Sequence, residues 1–421
     1  MRCLPPGVSC YWESLQIVKT IDNLQGLCYP DVMKHTMIKR HASKILLEKS
    51  RHYPVVAITG PRQSGKTTLA KTLFPGKPYC SLEDLDHRRF AERDPRGFLA
   101  QFPKGAVLDE VQHCPDVFSY MQSLVDAQDS LGLFVLTGSQ QFGLLANITQ
   151  SLAGRVGLIQ LLPFTLQELQ RAKRAPVSIE ALLFTGSYPP IYDRKIAPTS
   201  WYNDYIMTYI ERDVRRLIHV QDLRLFHRFL QMCAARTGQL LNLSGLASDC
   251  GITHNTAKAW LSVLEASYIL CLLSPHHKNF NKRLVKSPKL YFYDTGLVCA
   301  LLGLQNSDQL IMHPMRGALF ETWVVSELIK RRFNQGLLSN LYFWRDSQGH
   351  EVDILIDQGN KLIPVEVKSG QTIVEDYFSG LNYWQSLNKE TEEAFLVYGG
   401  KQKQMRQGIQ IVGWGDVDQV S

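Results

Sequence analysis

The feature that most constrains this chain is a glycine-rich loop between an apolar segment and a helix-forming segment. Val55 to Ile58 are apolar, and the pattern GxxxxGKT runs from Gly60 to Thr67, before a helix-forming series that ends at Phe74. Strand, loop and helix in this order form the P-loop pattern, whose backbone N–H groups and helix N-terminus bind polyphosphate. The sequence therefore predicts an α/β sheet that binds a nucleotide.

The residue types of this loop each fit phosphate binding. Gly60 and Gly65 let the backbone curve around an anion without a Cβ in the way. Lys66 is predicted to reach the β- and γ-phosphates, and Thr67 to offer its hydroxyl to Mg²⁺. The predicted nucleotide-binding stretch comprises Gly60, Pro61, Arg62, Gln63, Ser64, Gly65, Lys66, Thr67 and Thr68.

Length and composition narrow the class of protein. The chain has 421 residues, of which 45% are hydrophobic and 20% charged, as in ordinary globular proteins of several domains. It has no apolar run of about eighteen residues and no signal-peptide pattern, so we predict a cytoplasmic protein without a membrane segment. The nine cysteines lack paired spacing, which argues against a zinc site or a disulfide framework. A net charge of +7 is compatible with nucleic acid but does not require it.

Changes in sequence pattern along the chain predict four segments. The first lacks any sustained apolar period, which leaves open whether Met1 or Met37 is the true start. The predicted segments are a disordered or non-native leader (1–36), an AAA-like P-loop ATPase domain with the start of a helical lid (37–200), a helical and winged-helix domain (201–312) and a nuclease-like domain (313–421).

An apolar strand that ends in two acids follows the P-loop, from Gly105 to Gln112. Its distance from Lys66 leaves room for one helix and one further strand, which is the arrangement of a Walker B element. Asp109 is predicted to hold Mg²⁺, and Glu110 to orient or deprotonate the attacking water.

Two later positions are further candidates for the nucleotide site. The strand from Leu131 to Phe142 ends in small polar residues, of which Ser139 or Thr137 is predicted to contact the γ-phosphate or the water; an ordinary turn would use the same residues. Arg155 is either solvated or a source of positive charge for the phosphates. That charge could act in its own chain or in a neighbouring subunit of a homo-oligomer.

A helix, turn, helix and wing pattern predicts a winged-helix region. Two helical segments break at Gly251, with Thr253 as the N-cap of the second, and two strand-like segments follow. The loop between these strands contains Phe280 and no acid, and its cations are Lys278, Lys282, Arg283, Lys286 and Lys289. We predict nucleic-acid contact through this wing; the alternative is a solvated basic loop on a packing module.

The C-terminal segment predicts a helix from Arg316 and short strands joined by glycine turns. Three strands are predicted at 341–345, 351–357 and 362–368. Glu366 and Lys368 share one face of a strand because side chains alternate, and a hairpin brings Asp353 beside them. Two acids that bind Mg²⁺ and a lysine that activates water or stabilises charge suit cleavage of phosphodiesters. A surface hairpin of salt-bridged charges is the alternative.

With this strand order, the segment resembles the PD-(D/E)xK nuclease superfamily, whose core is helix, three strands, helix and strand. Val352 stands where the superfamily name has proline. Glu321 and Glu327 lie about 120° apart around a helix, so they cannot both face one metal ion. In that superfamily the helix acid often follows a small residue, so the resemblance implies that Glu321, after Gly317, is a metal ligand together with Asp353 and Glu366.

The whole order of motifs resembles prokaryotic AAA-like ATPases that carry a C-terminal domain of unknown function with a nuclease-like core. The resemblance implies ATP as the nucleotide and an ATPase sheet with a helical lid. It assigns no role to Glu211, Arg212 and Asp213. The motifs that carry it are YPVVAITGPRQSGKTTLA, LDEVQ, LTGSQQF, SLAGR, GSYPP, YIERDVRRL, YFYDTGL, RGALFE, EVDILID and PVEVKSG.

The predicted fold class is α/β: a P-loop NTPase parallel sheet with a helical lid, then a winged-helix region and a C-terminal α/β restriction-endonuclease-like domain. Two functions remain. One is an ATP-driven enzyme that acts on nucleic acid through the C-terminal domain. The other is a regulatory or scaffold ATPase whose nuclease-like domain is inactive and binds DNA or a protein. The complete set of Asp353, Glu366 and Lys368 favours the first.

Overall fold

The structure is a computed structural model, and it describes residues 37–128, 130–139, 151–210, 222–277, 284–388 and 393–420. The leader 1–36 lies outside the described residues, so the prediction about it stays a prediction. The same holds for Glu211, Arg212 and Asp213. Four residues of the basic wing also lie outside this range, namely Lys278, Phe280, Lys282 and Arg283.

A parallel sheet of five strands carries the P-loop. Its elements are α1 (Ala42–Ser50), β1 (Val55–Thr59), α2 (Lys66–Leu73), β2 (Tyr79–Ser81), α3 (Leu85–Arg93), α4 (Pro95–Ala100), β3 (Val107–Asp109), α5 (Asp116–Gln128), β4 (Phe134–Gly138) and β5 (Val156–Gln160). The strands pair in the order β2-β3-β4-β1-β5. Alternate residues of β1 enter two separate hydrophobic clusters, one on each face. Burial on both faces explains why β1 is an uninterrupted apolar run.

Four short helices follow the sheet and form the predicted lid region: α6 (Leu166–Arg171), α7 (Ile179–Thr185), α8 (Pro189–Arg194) and α9 (Pro198–Tyr205). Gly186 turns the chain between α7 and α8 with φ 66°, and a Cβ there would lie 2.0 Å from the Tyr202 hydroxyl oxygen. The next backbone N–H, of Ser187, donates to Asp294 (2.7 Å), which also accepts from Tyr202 (2.6 Å). The GSYPP and YFYDTGL segments are therefore in direct contact.

The middle region has the predicted order of two helices and two antiparallel strands. Its elements are α10 (Leu223–Ala234), β6 (Gln239–Leu240), α11 (Leu243–Cys250), α12 (His254–Ala266), β7 (Leu270–Leu273), β8 (Lys289–Phe292) and α13 (Thr295–Leu301). Gly251 ends α11 in a left-handed conformation, and Thr253 caps α12 by accepting from the N–H of Thr256 (3.1 Å). The strand β6 was not predicted, and it pairs with β8.

A mixed sheet of six strands forms the C-terminal region. Its elements are α14 (Arg316–Asn334), β9 (Leu341–Arg345), β10 (Glu351–Asp357), β11 (Leu362–Lys368), α15 (Ser379–Leu387), β12 (Phe395–Tyr398), β13 (Gln404–Arg406) and β14 (Ile409–Gly413). The bounds of β9, β10 and β11 are those predicted. β11 pairs antiparallel with β10 and parallel with β12, because α15 crosses over between β11 and β12.

The longest described helix, α14, joins the three sheets. It contacts β5, β8 and β11, one strand from each sheet. One cluster of buried side chains extends from Leu162 to Val420, so the lid, middle and C-terminal regions share a core. The predicted boundaries at 200 and 312 fall inside this core. Neither α14 nor any other described helix is long and apolar enough to cross a membrane.

Candidate nucleotide and metal sites

The P-loop lies between β1 and the N-terminus of α2. Gly60 and Gly65 have positive φ angles of 146° and 93°, and a Cβ on Gly60 would lie 2.1 Å from the carbonyl oxygen of Leu161. Lys66 is buried, and its Nζ donates to the carbonyl oxygens of Gly60 (3.0 Å) and Pro61 (2.8 Å). Burial lowers the pKa of Lys66. The close approach to Leu161 restricts position 60 to glycine.

Ser64 and Arg62 are tied to residues outside the loop, whereas two other loop residues are exposed. The buried Ser64 accepts at its carbonyl oxygen from Arg40 (2.7 Å), which also forms an ion pair with Glu168 (3.2 Å). Arg62 pairs with Glu83 (3.3 Å). The exposed loop residues are Gln63 and Thr68. Arg40 was not predicted, because nothing in the local pattern before α1 shows that it reaches the loop.

Asp109, the last residue of β3, accepts three hydroxyl donors. Thr67 donates to it from Oγ1 (2.8 Å) and Tyr79 from its hydroxyl (2.8 Å), and Thr137 is also bonded to it. Burial, and next the bond to Asp109, raise the pKa of Tyr79. The structure thus brings together the two predicted Mg²⁺ ligands, Thr67 and Asp109. Tyr79 was missed, although it begins the strand next to β3.

Glu110 follows Asp109 with a left-handed backbone (φ 54°). Ser139 donates to it from Oγ (2.9 Å), and Gln112 donates from Nε2. Burial opposes the charge on Glu110, but the positive charge of Lys66 and these bonds hold its pKa below its ordinary value. The two alternatives at the end of β4 therefore contact different acids: Ser139 is bonded to Glu110, and Thr137 is bonded to Asp109.

A second group near Glu110 was not predicted. Carboxylate oxygens of Glu83 and Glu110 and a ring nitrogen of His113 lie within 4.8 Å of one another. Glu83 follows β2 and His113 follows β3, so both belong to loops at the same edge of the parallel sheet. Their position after adjacent strands was the available sequence signal.

Arg155 does not reach the P-loop of its own chain. Its carbonyl oxygen accepts from the N–H of Val55 at the start of β1, whereas the P-loop follows Thr59 at the end of that strand. Five strand residues span roughly 16 Å. The guanidinium is bonded to Asp126 instead (2.8 Å from Nη2 to Oδ2). The predicted role for phosphates of the same chain is therefore wrong, while the role in a neighbouring subunit stays a prediction.

A cavity of about 730 Å³ lies between the middle region and the C-terminal sheet. Its lining includes all four residues predicted for the C-terminal site, Glu321, Asp353, Glu366 and Lys368. Glu321 comes from α14, Asp353 from β10 and the other two from β11. Strand alternation and the hairpin thus place Asp353, Glu366 and Lys368 at one cavity, and α14 adds Glu321.

Glu366 has one oxygen bonded and one free. Its Oε1 accepts from Lys368 Nζ (2.6 Å), while Oε2 is buried without a hydrogen-bond partner. Gly380 of α15 faces this oxygen, and a Cβ there would lie 3.0 Å from Oε2. Asp353 accepts from the N–H of Val367 (2.8 Å), which fixes it beside β11. A buried carboxylate oxygen without a partner is costly, so this oxygen fits a cation ligand.

The acids of this cavity raise one another's pKa values. Burial and the charge of Asp353 raise the pKa of Glu366 to about 8, against the opposing effect of Lys368. Burial and Asp353 also raise the pKa of Glu321 to about 7. For Lys368, burial opposes the charge, but Asp353 and Glu366 raise its pKa. The cavity therefore brings its carboxyl groups close enough to oppose one another's ionisation.

Glu321 contacts a lysine from the middle region. Its Oε1 accepts from Lys289 Nζ (3.0 Å) and from the Tyr291 hydroxyl. Lys289 is also ion-paired with Glu351. The prediction that Lys289 belongs to a basic wing is therefore wrong: it is buried on β8 and faces the C-terminal cavity. Of the remaining wing cations, Lys286 is described and exposed.

Glu327 lies outside this cavity. Its Oε2 accepts from the N–H of Leu166 (2.8 Å), and its Oε1 accepts from Lys330 (2.9 Å), which also donates to the carbonyl oxygen of Phe164 (3.0 Å). All these groups are buried. Glu327 therefore joins α14 to the lid region rather than to the predicted metal site.

Two further basic side chains, Arg345 and His350, line the C-terminal cavity. His350 is bonded through Nδ1 to the buried Asp346 (3.1 Å) and stacks on the ring of Tyr383 at 3.8 Å. Arg345 pairs with Glu351 (3.1 Å). The sequence signal for both was their position at the β9–β10 turn, next to the strand that carries Asp353.

Comparison with protein families divides the chain into three matched segments. An AAA domain model matches residues 52–170, and it contains the P-loop and both acids after β3. A domain of unknown function (DUF8612) matches 177–308, and another (DUF4143) matches 316–416.

Two mycobacterial proteins resemble the chain over most of its length. They are uncharacterized proteins of Mycobacterium tuberculosis and Mycobacterium bovis, each 31% identical over 343 residues. The matches cover 80% of this chain and 75% of each relative. The chain belongs to a family of AAA-like P-loop ATPases. In this chain the AAA domain is combined with a C-terminal domain of unknown function.

Solved structures resemble this family member more distantly. The Walker-type ATPase PABY2304 of Pyrococcus abyssi has a TM-score of 0.45 at 15% identity, covering 65% of this chain and 98% of that protein. DnaA from Aquifex aeolicus with bound AMPPCP has a TM-score of 0.28 at 14% identity, covering 53% and 85%. The family assignment rests on the AAA match and the mycobacterial relatives.

Proposed function

We propose that this AAA-like ATPase binds and hydrolyses ATP with Mg²⁺, and that it acts on nucleic acid through a divalent-metal site in its C-terminal region. The observation that carries the second part is the unpartnered, buried Oε2 of Glu366, beside Asp353 and Lys368. Carboxylate oxygens are the ligands that Mg²⁺ and Mn²⁺ prefer.

The nucleotide site has a residue for each requirement of phosphoryl transfer. The ammonium group of Lys66 would exchange its carbonyl partners for the β- and γ-phosphate oxygens, and Thr67 and Asp109 would hold Mg²⁺. Glu110, which the bond from Ser139 orients, would accept a hydrogen bond from the attacking water. Mg²⁺ at this site would compensate phosphate charge.

The C-terminal site would hold a divalent ion through Asp353 and Glu366. The hydrogen bond from the backbone N–H of Val367 orients Asp353. Because Gly380 has no Cβ, the free oxygen of Glu366 has room beside it. Lys368 puts a positive charge beside this pair, where a scissile phosphate would bind. The ion would supply electrophilic stabilisation of the phosphodiester during cleavage.

Direct contacts connect the P-loop strand to the rest of the molecule and support control by nucleotide. The hydroxyl of Tyr268, just after α12, is bonded to Thr59 Oγ1 (2.8 Å), one residue before the P-loop. Tyr268 also accepts from Gln160 on β5 (3.2 Å). We infer that rearrangement of the P-loop around ATP changes the position of the middle region, which borders the C-terminal cavity.

A nucleic-acid path along the middle region is part of this proposal. We interpret α11, α12, β7 and β8 as a winged helix within a domain from about residue 201 to 312. The exposed polar side chains of α12 are His254, Asn255 and Lys258, and Lys286 is exposed before β8. Such groups suit contacts to phosphates more than base reading.

The competing candidate is a regulatory ATPase whose C-terminal region binds nucleic acid or protein without cleaving it. It is favoured by the fixed ammonium groups in the cavity, since Lys368 and Lys289 each neutralise an acid without a metal ion. In this reading the site is inactive.

Cleavage assays on the full chain separate the two. Plasmid DNA, single-stranded DNA and RNA are incubated with Mg²⁺ or Mn²⁺, with and without ATP. We expect the parent to cleave and Asp353→Asn to abolish cleavage. In Glu110→Gln, cleavage should no longer respond to ATP turnover. Asp376 is an exposed acid outside the cavity, so Asp376→Asn should leave cleavage intact. Binding of nucleic acid without cleavage in any condition would support the regulatory candidate instead.

A further inference from the structure

Lys289 is a buried cation that reaches the C-terminal cavity from another region of the chain. It is the first residue of β8, and its side chain is only 4% exposed. Its Nζ lies 3.0 Å from Glu321 Oε1 and is also bonded to Glu351. Burial of an ammonium group is costly unless it is paired, and here Glu321 and Glu351 provide the paired charge.

Four acidic side chains line this cavity, and only a few cationic side chains pair with them. Lys289 forms ion pairs with both Glu321 and Glu351, and Arg345 forms a second ion pair with Glu351. Oε1 of Glu366 is ion-paired with Lys368. Its Oε2 has no hydrogen-bond partner, although the side chain is only 9% exposed. The buried oxygen without a hydrogen-bond partner thus belongs to Glu366, whereas Glu321 is held at its Oε1 by Lys289 and by the Tyr291 hydroxyl.

We propose that Lys289 is the built-in second cation of this site: its ammonium group occupies the place at Glu321 where a second divalent ion would bind. The site therefore takes one divalent ion, at Asp353 and Glu366. Glu321 positions Lys289 and is not a metal ligand. This inference rests on the proposed metal site, since it concerns the same cavity, and it revises the ligand set that the sequence predicted.

The origin of Lys289 has a structural consequence. Lys289 lies outside the matched C-terminal segment 316–416, on a strand that packs against α14. Lys289 therefore contributes its charge to the cavity only while β8 stays packed against α14. Displacement of β8 would withdraw this positive charge from Glu321 and Glu351, so the position of the middle region affects the charge of the metal site.

Counting bound Mn²⁺ tests this assignment without an activity assay. The full chain is titrated with Mn²⁺ in the absence of nucleotide, and free Mn²⁺ is followed by electron paramagnetic resonance. Subtracting the titration of Asp353→Asn/Glu366→Gln isolates the C-terminal site from the P-loop region. We expect one Mn²⁺ in the parent and in Lys289→Arg, and two in Lys289→Ala, because Glu321 and Glu351 then lose their ammonium partner. Lys289→Ala/Glu321→Gln should return to one.

A second variant keeps the test decisive if Lys289→Ala fails to fold. Glu321→Gln retains an oxygen that can accept from Lys289. If Glu321 is only a positioning residue, this change lowers Mn²⁺ affinity by no more than about tenfold, whereas Glu366→Gln lowers it more than ~100-fold. Two Mn²⁺ ions in the parent, or equal losses in both variants, would overturn the assignment of Lys289 and leave the proposed metal site standing. No Mn²⁺ in the parent would overturn both.

Discussion

The two acidic sites of this molecule are built in opposite ways. At the sheet edge after β3, each acid meets neutral donors: hydroxyl groups bond Asp109, and Ser139 and Gln112 bond Glu110. In the C-terminal cavity, the acids lie close to one another and to lysines. Against its burial, the charge of Lys66 and its hydrogen bonds lower the pKa of Glu110, whereas burial and the charge of Asp353 raise that of Glu366 to about 8.

The difference concerns what each site needs in order to hold a negative charge. Hydrogen-bond donors stabilise an ionised carboxylate whether or not a cation is bound. Crowded, buried carboxylates instead raise one another's pKa until a cation compensates them. We therefore expect the nucleotide site to be organised before its ligand binds, and the C-terminal cavity to respond strongly to metal ions.

The largest expected effect is on ATP turnover. Glu110→Gln keeps the shape of the site but removes the carboxylate that accepts from water, so turnover should fall by about 10²–10⁴-fold while ATP still binds. Lys66→Ala should instead weaken ATP binding, because the phosphates lose an ammonium group. Steady-state hydrolysis and nucleotide-binding titrations measure the two effects.

The exposed acid Glu92 on α3 supplies the control for this pair. Glu92→Gln makes the same chemical change without touching the site and should match the parent in both assays. Equal turnover in Glu110→Gln and the parent would show that Glu110 does not act on the water. The comparison of the two sites would then lose its catalytic role for Glu110.

Glu327, a buried acid outside both sites, provides a third case for comparison. Lys330→Met leaves Glu327 buried without its ammonium partner, so we expect a loss of about 3–5 kcal/mol in the free energy of unfolding. Metal ions should not restore this loss, because Glu327 lies outside the C-terminal cavity. Denaturant unfolding with and without Mn²⁺ measures it, and Glu327→Gln/Lys330→Met should recover part of the stability.

Metal binding is the direct test of the crowded acids. Mg²⁺ or Mn²⁺ at about 100 times its dissociation constant should stabilise the full chain by about 3 kcal/mol through mass action. Asp353→Asn and Glu366→Gln should abolish this gain, as followed by thermal unfolding without nucleotide. The shared core between Leu162 and Val420 makes the full chain the correct sample. A parent that shows no shift at millimolar metal would contradict the expected response.

The sequence predicted the strands of this site because their signals are local. Alternating side chains and the turns at Gly349 and Gly359 define β9 to β11, and alternation alone puts Glu366 and Lys368 on one face. The P-loop and the acids after β3 were accessible for the same reason. Each depends on residues within one strand and the loop that follows it.

The missed contacts all join segments that are distant in the chain. Lys289 was assigned to a wing because its neighbours are basic, but its burial depends on α14 and β10 packing over β8. Tyr79 and Arg40 likewise reach their sites across the fold. No local pattern encodes which distant segment covers a side chain, so such residues follow only from the structure.

The pH dependence of stability should separate the two sites without a ligand. Glu366 has an ordinary pKa of 4.5 in the unfolded chain and about 8 in the fold, so between these values the folded state holds protons that the unfolded state has released. Stability present at low pH is therefore lost progressively as the pH rises towards 8 in metal-free protein. Denaturant unfolding in EDTA from pH 5 to 8 measures this slope.

Variants at both sites provide the comparison. Glu366→Gln should flatten the slope, because an amide does not titrate. Glu110→Gln should keep the slope between pH 5 and 8. The lowered pKa of Glu110 contributes stability that is lost only in acid, as the pH falls through the pKa of the folded state. A slope that is unchanged in Glu366→Gln would mean that crowding in the cavity does not control the charge of this acid.

The smallest effect is expected at Arg155, which tests whether the nucleotide site is complete within one chain. Its guanidinium is bonded to Asp126 at the opposite edge of the sheet from the P-loop, and the pair is solvent-exposed. Arg155→Ala should therefore change ATP turnover by less than about twofold in dilute protein, as should Asp126→Asn, which breaks the same pair. Turnover measured against protein concentration, with light scattering to follow association, separates the remaining roles. A fall in Arg155→Ala alone, and only where copies associate, would mean that Arg155 serves a neighbouring subunit; a large fall at every concentration would contradict its placement far from the phosphates.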